Sequence, residues 1–223
     1  MITGGSRGIG AACVRMFVEA GANVIFNYQR AKDAADKLAA ECGTDHCRAI
    51  QADLNGTGDE KKVIDEAIRL FGRVDILVAN HGIWPPNDAP IDEMSEEQWH
   101  KTIAINLDSV YLLVKHSVAA MKKQGSGGHI VLISSTAGQR GEAFHCDYAA
   151  TKGAIISMVK GLSTELARHN IRINAVAPGW VWTDMTEPVL TDPKTRDPIY
   201  GAIALGRVGA PEEIAGPVLF LCT

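Results

Sequence analysis

The stretch DYAATKGAI, residues 147–155, places a phenol and an ammonium one helical turn apart among small residues. A tyrosine is a poor acid or base near neutral pH, because its reference pKa is about 10. A lysine charge one turn away favours the phenolate and lowers that pKa. Tyr148 and Lys152 are therefore candidates for a proton-transferring pair. An ordinary helix with a half-buried tyrosine beside a snorkelling lysine would show the same two residues.

The elements that must position this pair follow from the hydrophobic pattern. Strands are predicted over residues 22–27, 47–52, 75–79, 129–134 and 171–177, and helices over residues 11–20, 31–42, 59–71, 95–122 and 147–169. The strand segments are apolar throughout rather than alternating, which is typical of parallel strands covered on both faces. The sequence therefore predicts an α/β fold, a single Rossmann-type domain over residues 1–223 with a doubly wound parallel sheet flanked by helices.

The two ends of the chain do not match a complete fold of this class. Only residues 1–3 precede the first glycine, fewer than the five or six of a typical strand. The last residues lie in or just after an apolar helix, with no closing strand. We therefore expect that the sequence is trimmed at both ends.

Composition excludes several classes of protein. The 223 residues are 46% hydrophobic and 22% charged, as in a globular domain, and the formal net charge of −4 with no basic run argues against a nucleic-acid partner. No apolar window is long enough for a membrane span, and the N-terminal residues do not show the pattern of a secretory signal. Five cysteines without CxxC spacing indicate reduced thiols and a cytoplasmic location. Cys42, His46 and Cys47 fit no zinc pattern, so no metal is expected.

A glycine-rich turn, TGGSRGIG at residues 3–10, precedes an amphipathic helix and a strand. This is the setting of a dinucleotide-binding turn, where glycines let the backbone approach a pyrophosphate. The helix N-terminus adds free N–H groups and the positive end of its dipole. The sequence therefore predicts a nucleotide site at this turn.

The end of the strand predicted over residues 22–27 bears on which nicotinamide cofactor is bound. NAD-binding domains place an acid there to hold the ribose hydroxyls. This chain has NYQR at residues 27–30, with no acid. Arg7 and Arg30 could pair with a 2′-phosphate, although both could equally be plain surface arginines. The sequence thus predicts NADP(H), with NAD less favoured.

Taken in order, the motifs resemble those of the short-chain dehydrogenase/reductase (SDR) family, over nearly the whole chain. They are the TGxxxGIG turn at 3–10, Asp53, the segment Asn80-His81-Gly82, Asn106 in INLDS, Ser135 in ISSTAG, Tyr148 with Lys152, and Pro178-Gly179 followed by Thr183. The general pattern is most similar to 3-oxoacyl-[acyl-carrier-protein] reductases. One departure is His81, which stands where many relatives have a small residue in NNAG. We expect it to alter packing or cofactor contact.

The resemblance implies interconversion of a ketone and a secondary alcohol by hydride transfer. Tyr148 would be the general acid/base, and Lys152 would favour its phenolate and bind the nicotinamide ribose. Ser135 would hold the substrate oxygen; Ser134 is the alternative, at a spacing that fits less well. Asn106 would hold a water that links Lys152 to solvent, unless it is only a polar residue inside a helix.

The resemblance also implies the cofactor contacts. They are Gly4, Ser6, Arg7, Gly8, Ile9, Gly10, Tyr28, Arg30, Asp53, Leu54, Asn80, Gly82, Tyr148, Lys152, Pro178, Gly179, Val181 and Thr183. Asp53 would meet the adenine edge, while Thr183 and the backbone at Val181 would fix the carboxamide. Taken singly, Asp53 could be a turn former and Thr183 a helix cap.

The substrate follows less directly. We predict a 3-oxoacyl thioester, with a sugar, polyol or other secondary alcohol as the alternative. Trp84, Trp180, Trp182 and Met185 suggest an apolar or aromatic pocket. An acyl carrier protein partner would want a basic entrance, for which Lys122, Lys123, Arg140 and Arg207 are candidates.

Two functions of other classes compete with this one. Ser135, His145 and Asp147 supply the residue types of a hydrolase triad, but no GxSxG elbow surrounds the serine. A catalytically inactive NADP-binding scaffold or regulator usually lacks the tyrosine or the lysine, and this chain has both. The resemblance also implies a homodimer or homotetramer. The two long helices carry apolar stripes that include Ile103, Leu107, Val110, Val114, Ile156, Val159 and also Ser163, but periodicity alone does not separate a pairing face from the face that packs on the sheet.

Overall fold

The computed structural model describes all residues 1–223 as alternating strands and helices. The strands are β1 (Val24–Tyr28), β2 (Cys47–Gln51), β3 (Ile76–Ala79), β4 (Gly128–Ile133) and β5 (Ile171–Val176). The helices are α1 (Gly8–Glu19), α2 (Lys32–Glu41), α3 (Asp59–Phe71), α4 (Glu96–Ile103), α5 (Ser109–Gln124), α6 (Ala137–Arg140), α7 (Cys146–Leu166), α8 (Glu187–Thr191), α9 (Pro193–Ala202) and α10 (Pro211–Phe220). None of these helices has both the length and the hydropathy to cross a bilayer.

The first three residues lie in the middle of the sheet. Ile2 forms parallel bridges with Phe26 of β1 on one side and Val78 of β3 on the other. β1 also pairs with β2, and β3 pairs with β4, which pairs with β5, all in parallel. The order across the sheet is therefore β2, β1, residues 1–3, β3, β4, β5. Three residues suffice here because they have a paired neighbour on each side.

Alternate strand residues enter two separate cores, one on each face of the sheet. Ile25 and Leu77 belong to one core, which also contains Leu113 of α5. Phe26 and Val78, each one position further along, belong to the other core, which contains Phe17 of α1. Each such fully buried side chain contributes about 1.5–3 kcal/mol to folding. The doubly wound parallel sheet predicted from the continuous apolar runs is confirmed.

The predicted helix over residues 95–122 is interrupted. Helix α4 passes through a π-helical turn, Ala104–Asp108, before α5 begins at Ser109. A π turn holds one extra residue and is rare, appearing mostly as single turns inside α-helices at functional sites. Periodicity cannot reveal it, because hydrophobic residues on both sides of the turn still follow a helical spacing. The first helix also begins earlier than predicted, at Gly8, and helices α8 and α9 were not predicted.

His81, which follows β3, joins the N-terminal segment to helix α5. Its Nδ1 lies 2.8 Å from Thr3 Oγ1, and its Nε2 lies 2.5 Å from Ser109 Oγ. The Ser109 hydroxyl donates its one proton to the Ile105 carbonyl, at 2.7 Å. It must therefore accept from Nε2–H, which leaves Nδ1 to accept from Thr3. This bonding pattern requires a neutral imidazole, and burial, with a smaller effect from the Lys152 charge, lowers the pKa of His81 to about 3.

We expect His81 to make the protein less stable as the pH falls. Its pKa is about 3 in the folded state and 6.5 as a model value, so the unfolded chain takes up the proton first. The stabilisation is complete above pH 6.5 and falls by about 1.4 kcal/mol per pH unit between 6.5 and 3, which is about 2 kcal/mol at pH 5. Urea unfolding at pH 7.5 and pH 5 measures this loss. His81→Asn, which has no titrating ring, should lose about 2 kcal/mol less between the two pH values; equal losses would contradict the assignment.

Candidate active site

A cleft of about 560 Å³ opens where the carboxyl ends of the strands meet. Most of the predicted site residues line it, namely Gly4, Ser6, Arg7, Gly8, Ile9, Tyr28, Arg30, Asp53, Leu54, Asn80, Gly82, Ser135, Tyr148, Lys152, Pro178, Gly179, Val181 and Thr183. Ligands of open parallel sheets bind at this edge. Two predicted residues, Gly10 and Asn106, are outside the lining.

The glycine-rich turn offers a row of backbone donors to the cleft. Gly4 and Gly8 have φ values of +61° and +53°, a left-handed conformation that favours glycine. None of the N–H groups of residues 6–10 donates a hydrogen bond to another part of the protein. Such free N–H groups at a helix N-terminus suit a phosphate. The residues present therefore fit a cofactor that carries a pyrophosphate.

Gly10 serves the turn in another way. A Cβ at this position would lie 2.1 Å from the carbonyl oxygen of Gly4, so any larger residue would force the turn apart. Thr183 approaches the same turn from the far side of the cleft, where its Cγ2 would be 3.1 Å from a Cβ on Gly8. The turn is thus enclosed from both sides, and Gly10 closes it from behind rather than lining the cleft.

The end of the cleft beside β1 carries the charged side chains from which the sequence predicts a preference between NADP(H) and NAD(H). Arg30 is exposed and has no ion-pair partner, while Arg7 Nη1 lies 3.5 Å from Asp184 Oδ2. Asp53 Oδ1 accepts a hydrogen bond from Gln29 Nε2 at 2.7 Å, which holds the carboxylate beside the end of β1. Arg7 and Arg30 therefore both line this end of the cleft.

Helix α7 presents Tyr148 and Lys152 to the cleft from above the end of β4. Lys152 Nζ donates to the Ile133 carbonyl at 2.8 Å, and Ser134 Oγ donates to the Lys152 carbonyl at 2.8 Å. Gly138 permits this contact, because a Cβ there would lie only 2.4 Å from the Lys152 carbonyl carbon. Both serines line the cleft, but the Ser134 hydroxyl is buried and donates its proton in docking the helix, whereas Ser135 also lines the adjoining second cavity.

Burial governs the protonation of both α7 residues. It lowers the pKa of Lys152 to about 8. It raises the pKa of Tyr148, an effect opposed by a hydrogen bond with Ser135 and increased by the charge of Glu142. Lys152 Nζ lies 5.6 Å from the centre of the tyrosine ring. The Lys152 charge is not among the causes of this shift, so in this structure the pKa of Tyr148 is raised and not lowered as the spacing of the two residues predicts.

Asn106 lies behind the cleft wall in the π-helical turn. Its Nδ2 donates to the Ile83 carbonyl and its Oδ1 accepts from the Ile83 N–H, both at 2.8 Å. The buried side chain therefore fixes the segment after β3, and its predicted role in holding a water stays a prediction.

The residues of the rival hydrolase triad do not come together. His145 Nε2 donates to the Pro85 carbonyl at 2.9 Å. Asp147 Oδ2 accepts from Thr102 at 2.8 Å and from Gln98 at 3.2 Å. Neither side chain hydrogen-bonds to Ser135, so nothing in this arrangement activates the serine as a nucleophile.

The Cys42, His46 and Cys47 group does not form a metal site either. His46 Nδ1 is hydrogen-bonded to Asn23 Oδ1 at 2.8 Å. No group of three or more histidine, cysteine or acidic side chains in the protein is arranged to hold a metal ion.

A second cavity of about 320 Å³ adjoins the cleft at Ser135 and Tyr148. Its lining includes Trp84, Trp180 and Met185, as the sequence suggests, but Trp182 points outward and is 42% exposed. It also contains two charged residues that the sequence did not assign to the pocket, Arg140 and Glu142. The signal for them is their position between Ser135 and Tyr148 in the chain.

The four cations considered for a basic entrance are not grouped. Arg207 is paired with Glu213 through both guanidinium nitrogens, each at 2.7 Å. Lys122 and Lys123 lie in the last turn of α5, which leads into the start of β4 at the opposite edge of the sheet. Arg140 alone lines a cavity.

Comparisons with known proteins agree on the family and differ on the substrate. The family described as Enoyl-(Acyl carrier protein) reductase matches residues 4–223. L-fucose dehydrogenase of Mus musculus is 37% identical, over all of this chain and 81% of its own length. A 3-oxoacyl-[acyl-carrier-protein] reductase of Synechocystis is also 37% identical, over all of this chain and 88% of its own length.

Solved structures give the same result. The chain superposes on a 3-ketoacyl-(acyl-carrier-protein) reductase of Brucella melitensis complexed with NADH, with a TM-score of 0.90 and 30% identity over 100% of this chain and 89% of the other. A glucose/ribitol dehydrogenase of the same organism has a TM-score of 0.89 and 38% identity over 99% and 87%. The cleft, the glycine-rich turn and these relatives together lead to one conclusion. The chain belongs to the short-chain dehydrogenase/reductase family of nicotinamide-dependent oxidoreductases.

Proposed function

We propose that this protein interconverts a ketone and a secondary alcohol with NADP(H), using Tyr148 as the general acid/base. The observation that carries the proposal is that Tyr148 and Ser135 line both cavities and so lie together where the two cavities adjoin. A substrate oxygen at this junction would meet both hydroxyl groups, with the ammonium of Lys152 close behind them.

Each residue has a distinct part in the proposed reaction. When bound, the nicotinamide cofactor supplies or accepts the hydride. Ser135 donates a hydrogen bond that holds the substrate oxygen and polarises its carbonyl. Tyr148 delivers a proton to that oxygen during reduction and removes it during oxidation. Lys152, with a pKa of about 8, carries a charge at neutral pH and stabilises the phenolate that remains.

The preference for NADP(H) over NAD(H) rests on the end of the cleft beside β1. Arg30 has no ion-pair partner there, and no acid ends β1 to hold the hydroxyls of a ribose that lacks the phosphate. A guanidinium is suited to bidentate contact with phosphate. Arg7, whose contact with Asp184 is long and exposed, is free to turn toward the same group.

Two substrate classes fit this chemistry. A 3-oxoacyl thioester, carried by an acyl carrier protein, is the class predicted from the sequence, and reductases named for it are among the relatives. A sugar or polyol is the second, since dehydrogenases of L-fucose and L-rhamnose are equally similar. The charged residues Arg140 and Glu142 in the lining of the second cavity favour a sugar or polyol.

Self-association is part of the proposal. Val110 and Val114 of α5 face the core, whereas Tyr111 of the same helix is 51% exposed. Ile156 and Val159 of α7 are only partly buried. We propose that these outer faces pair into a homodimer or homotetramer. Light scattering on the eluting protein should give two or four times the mass of 23.9 kDa, and a monomer would contradict this part.

We expect Tyr148→Phe to lose nearly all activity, because the substitution removes only the hydroxyl that transfers the proton. General acid/base groups contribute about 10²–10⁴-fold, so kcat should fall by at least about 10²-fold. The assays are NADPH oxidation with acetoacetyl-coenzyme A and NADP⁺ reduction with L-fucose and L-rhamnose. Tyr200→Phe, an equivalent change in α9 outside the lining of both cavities, should keep the parental rate.

Binding measurements separate a catalytic failure from a folding failure. NADPH fluorescence should still change when the cofactor binds Tyr148→Phe, and the Kd from this titration should lie within about threefold of the parental value. Parental turnover by Tyr148→Phe would overturn the mechanism. Tight NADPH binding by the parent with no turnover of a wide panel of ketones and alcohols would favour a scaffold or regulator.

We expect Arg30→Glu to weaken NADPH binding selectively, because it replaces attraction to the 2′-phosphate by repulsion. Losing one hydrogen bond to a charged group costs about 1.5–3 kcal/mol, or roughly 10- to 100-fold in Kd. The Kd for NADH should change by less than about threefold. Arg168→Glu, at the far end of α7, is the matched charge reversal and should leave both constants unchanged. If Arg30→Glu changed the Kd for NADPH and the Kd for NADH by the same factor, the proposed preference for NADP(H) would be contradicted.

A further inference from the structure

The second cavity contains a carboxylate that the proton-transfer chemistry does not use. Glu142 Oε1 accepts a hydrogen bond from the indole N–H of Trp84 at 3.1 Å. Its other oxygen accepts none from the protein. Glu142 also acts on Tyr148 through its charge, so it lies near the position where a substrate would react. This oxygen belongs to a half-buried carboxylate and has no hydrogen-bond donor from the protein. A ligand in the cavity that donates a hydrogen bond to it would therefore bind more tightly.

The partner of this carboxylate is rigidly held. Trp84 stacks on His145, with ring centres 4.6 Å apart and planes inclined by 15°. It meets the edge of Trp180 at 5.9 Å and 81°. His145 is in turn fixed by its hydrogen bond to the Pro85 carbonyl, at 2.9 Å. The indole therefore aims its N–H at Glu142 before any substrate arrives, and the free oxygen keeps a defined direction.

The residues around Glu142 select among the ligands that could supply a donor. An apolar acyl chain would cover the carboxylate without replacing its hydration, which costs about 1–3 kcal/mol or more for a charged group. An ammonium would find Arg140 in the same lining, where its guanidinium has no ion-pair partner in the protein and opposes a second cation.

A neutral hydroxyl group meets none of these penalties. It donates to Glu142 and can accept from Arg140, while the C–H groups of a saturated ring pack on the faces of Trp84 and Trp180. We propose that Glu142 is a specificity-determining residue, which accepts a hydrogen bond from a hydroxyl close to the reacting carbon of a carbohydrate-like, polyhydroxylated substrate. This inference rests on the proposed function, since it names the substrate class of the same site.

A matched series of alcohols tests the inference. Cyclohexanol, 1,2-cyclohexanediol and 2-aminocyclohexanol share a ring and a secondary carbinol and differ in one substituent. With NADP⁺, the parent should oxidise the diol with a kcat/KM at least about tenfold above that of the other two. Glu142→Leu should lower the diol-to-cyclohexanol ratio of kcat/KM by about 10- to 100-fold, with most of the change in KM. L-fucose should lose affinity to a similar extent.

Two further variants separate specificity from damage to the fold. Trp84→Phe keeps an aromatic ring but removes the N–H, so it should lower the same ratio by a smaller factor than Glu142→Leu. Glu165→Leu, an equivalent change at an exposed position on α7, should leave the ratio unchanged. An unchanged NADPH Kd in all three variants shows that the cofactor site is intact.

The outcomes distinguish this inference from the proposed function. A parent that reduces acetoacetyl-coenzyme A but shows no preference for the diol overturns the role of Glu142 and leaves the proposed function standing. A preference for 2-aminocyclohexanol that Glu142→Leu abolishes shows an ammonium site instead. Absence of any turnover by a parent that binds NADPH overturns both.

Discussion

Helix α7 can carry Tyr148 and Lys152 to the cleft only because it packs more closely on helix α6, which follows β4, than side chains normally allow. Gly138 of α6 makes this possible, since a Cβ there would meet the Lys152 carbonyl carbon at 2.4 Å. Two hydrogen bonds then lock the contact, one from the lysine ammonium to the Ile133 carbonyl and one from Ser134 to the lysine backbone. Ser135 and Tyr148 meet as a result. The geometry of the candidate site is thus a consequence of how one helix docks on one strand.

The same close packing determines the electrostatics. Burial lowers the pKa of Lys152 and raises that of Tyr148, so both residues shift toward their neutral forms. Behind them, His81 must be neutral to accept from Thr3 and donate to Ser109. A charged imidazole there would also be repelled by the Lys152 ammonium, and this repulsion contributes to the lowered pKa of His81. The neutral histidine therefore joins the sheet to α5 without competing with Lys152 for the role of cation.

The two cavities differ in the kind of residue that they contain: the cleft contains features typical of the family, and the smaller cavity contains residues that could determine the substrate. The cleft contains the turn, the strand ends and the α7 residues, which are the features that place the chain in its family. The smaller cavity contains Trp84, Trp180 and Glu142 on segments that connect the regular elements, and Arg140 at the end of the short helix α6. Loops vary more readily than the elements they connect, so relatives with the same cleft can act on different alcohols and ketones. That division explains why relatives of equal similarity carry names from two substrate classes.

The sequence by itself determined the doubly wound sheet and identified the glycine-rich turn and the tyrosine that both line the cleft, because local spacing and continuous apolar runs record them directly. It also gave most of the residues that line the cleft, since strand ends and glycine turns are visible in order along the chain. The π-helical turn at Asn106 and the placement of three N-terminal residues inside the sheet escaped it, because both depend on neighbours distant in sequence. The occupation of Ser134 and the outward position of Trp182 are contacts of the same kind. Only the tertiary structure decided that Glu142 lines the same cavity as Tyr148, because its direction is set by a hydrogen bond to the Trp84 indole, which stacks on His145, and no periodicity encodes these contacts.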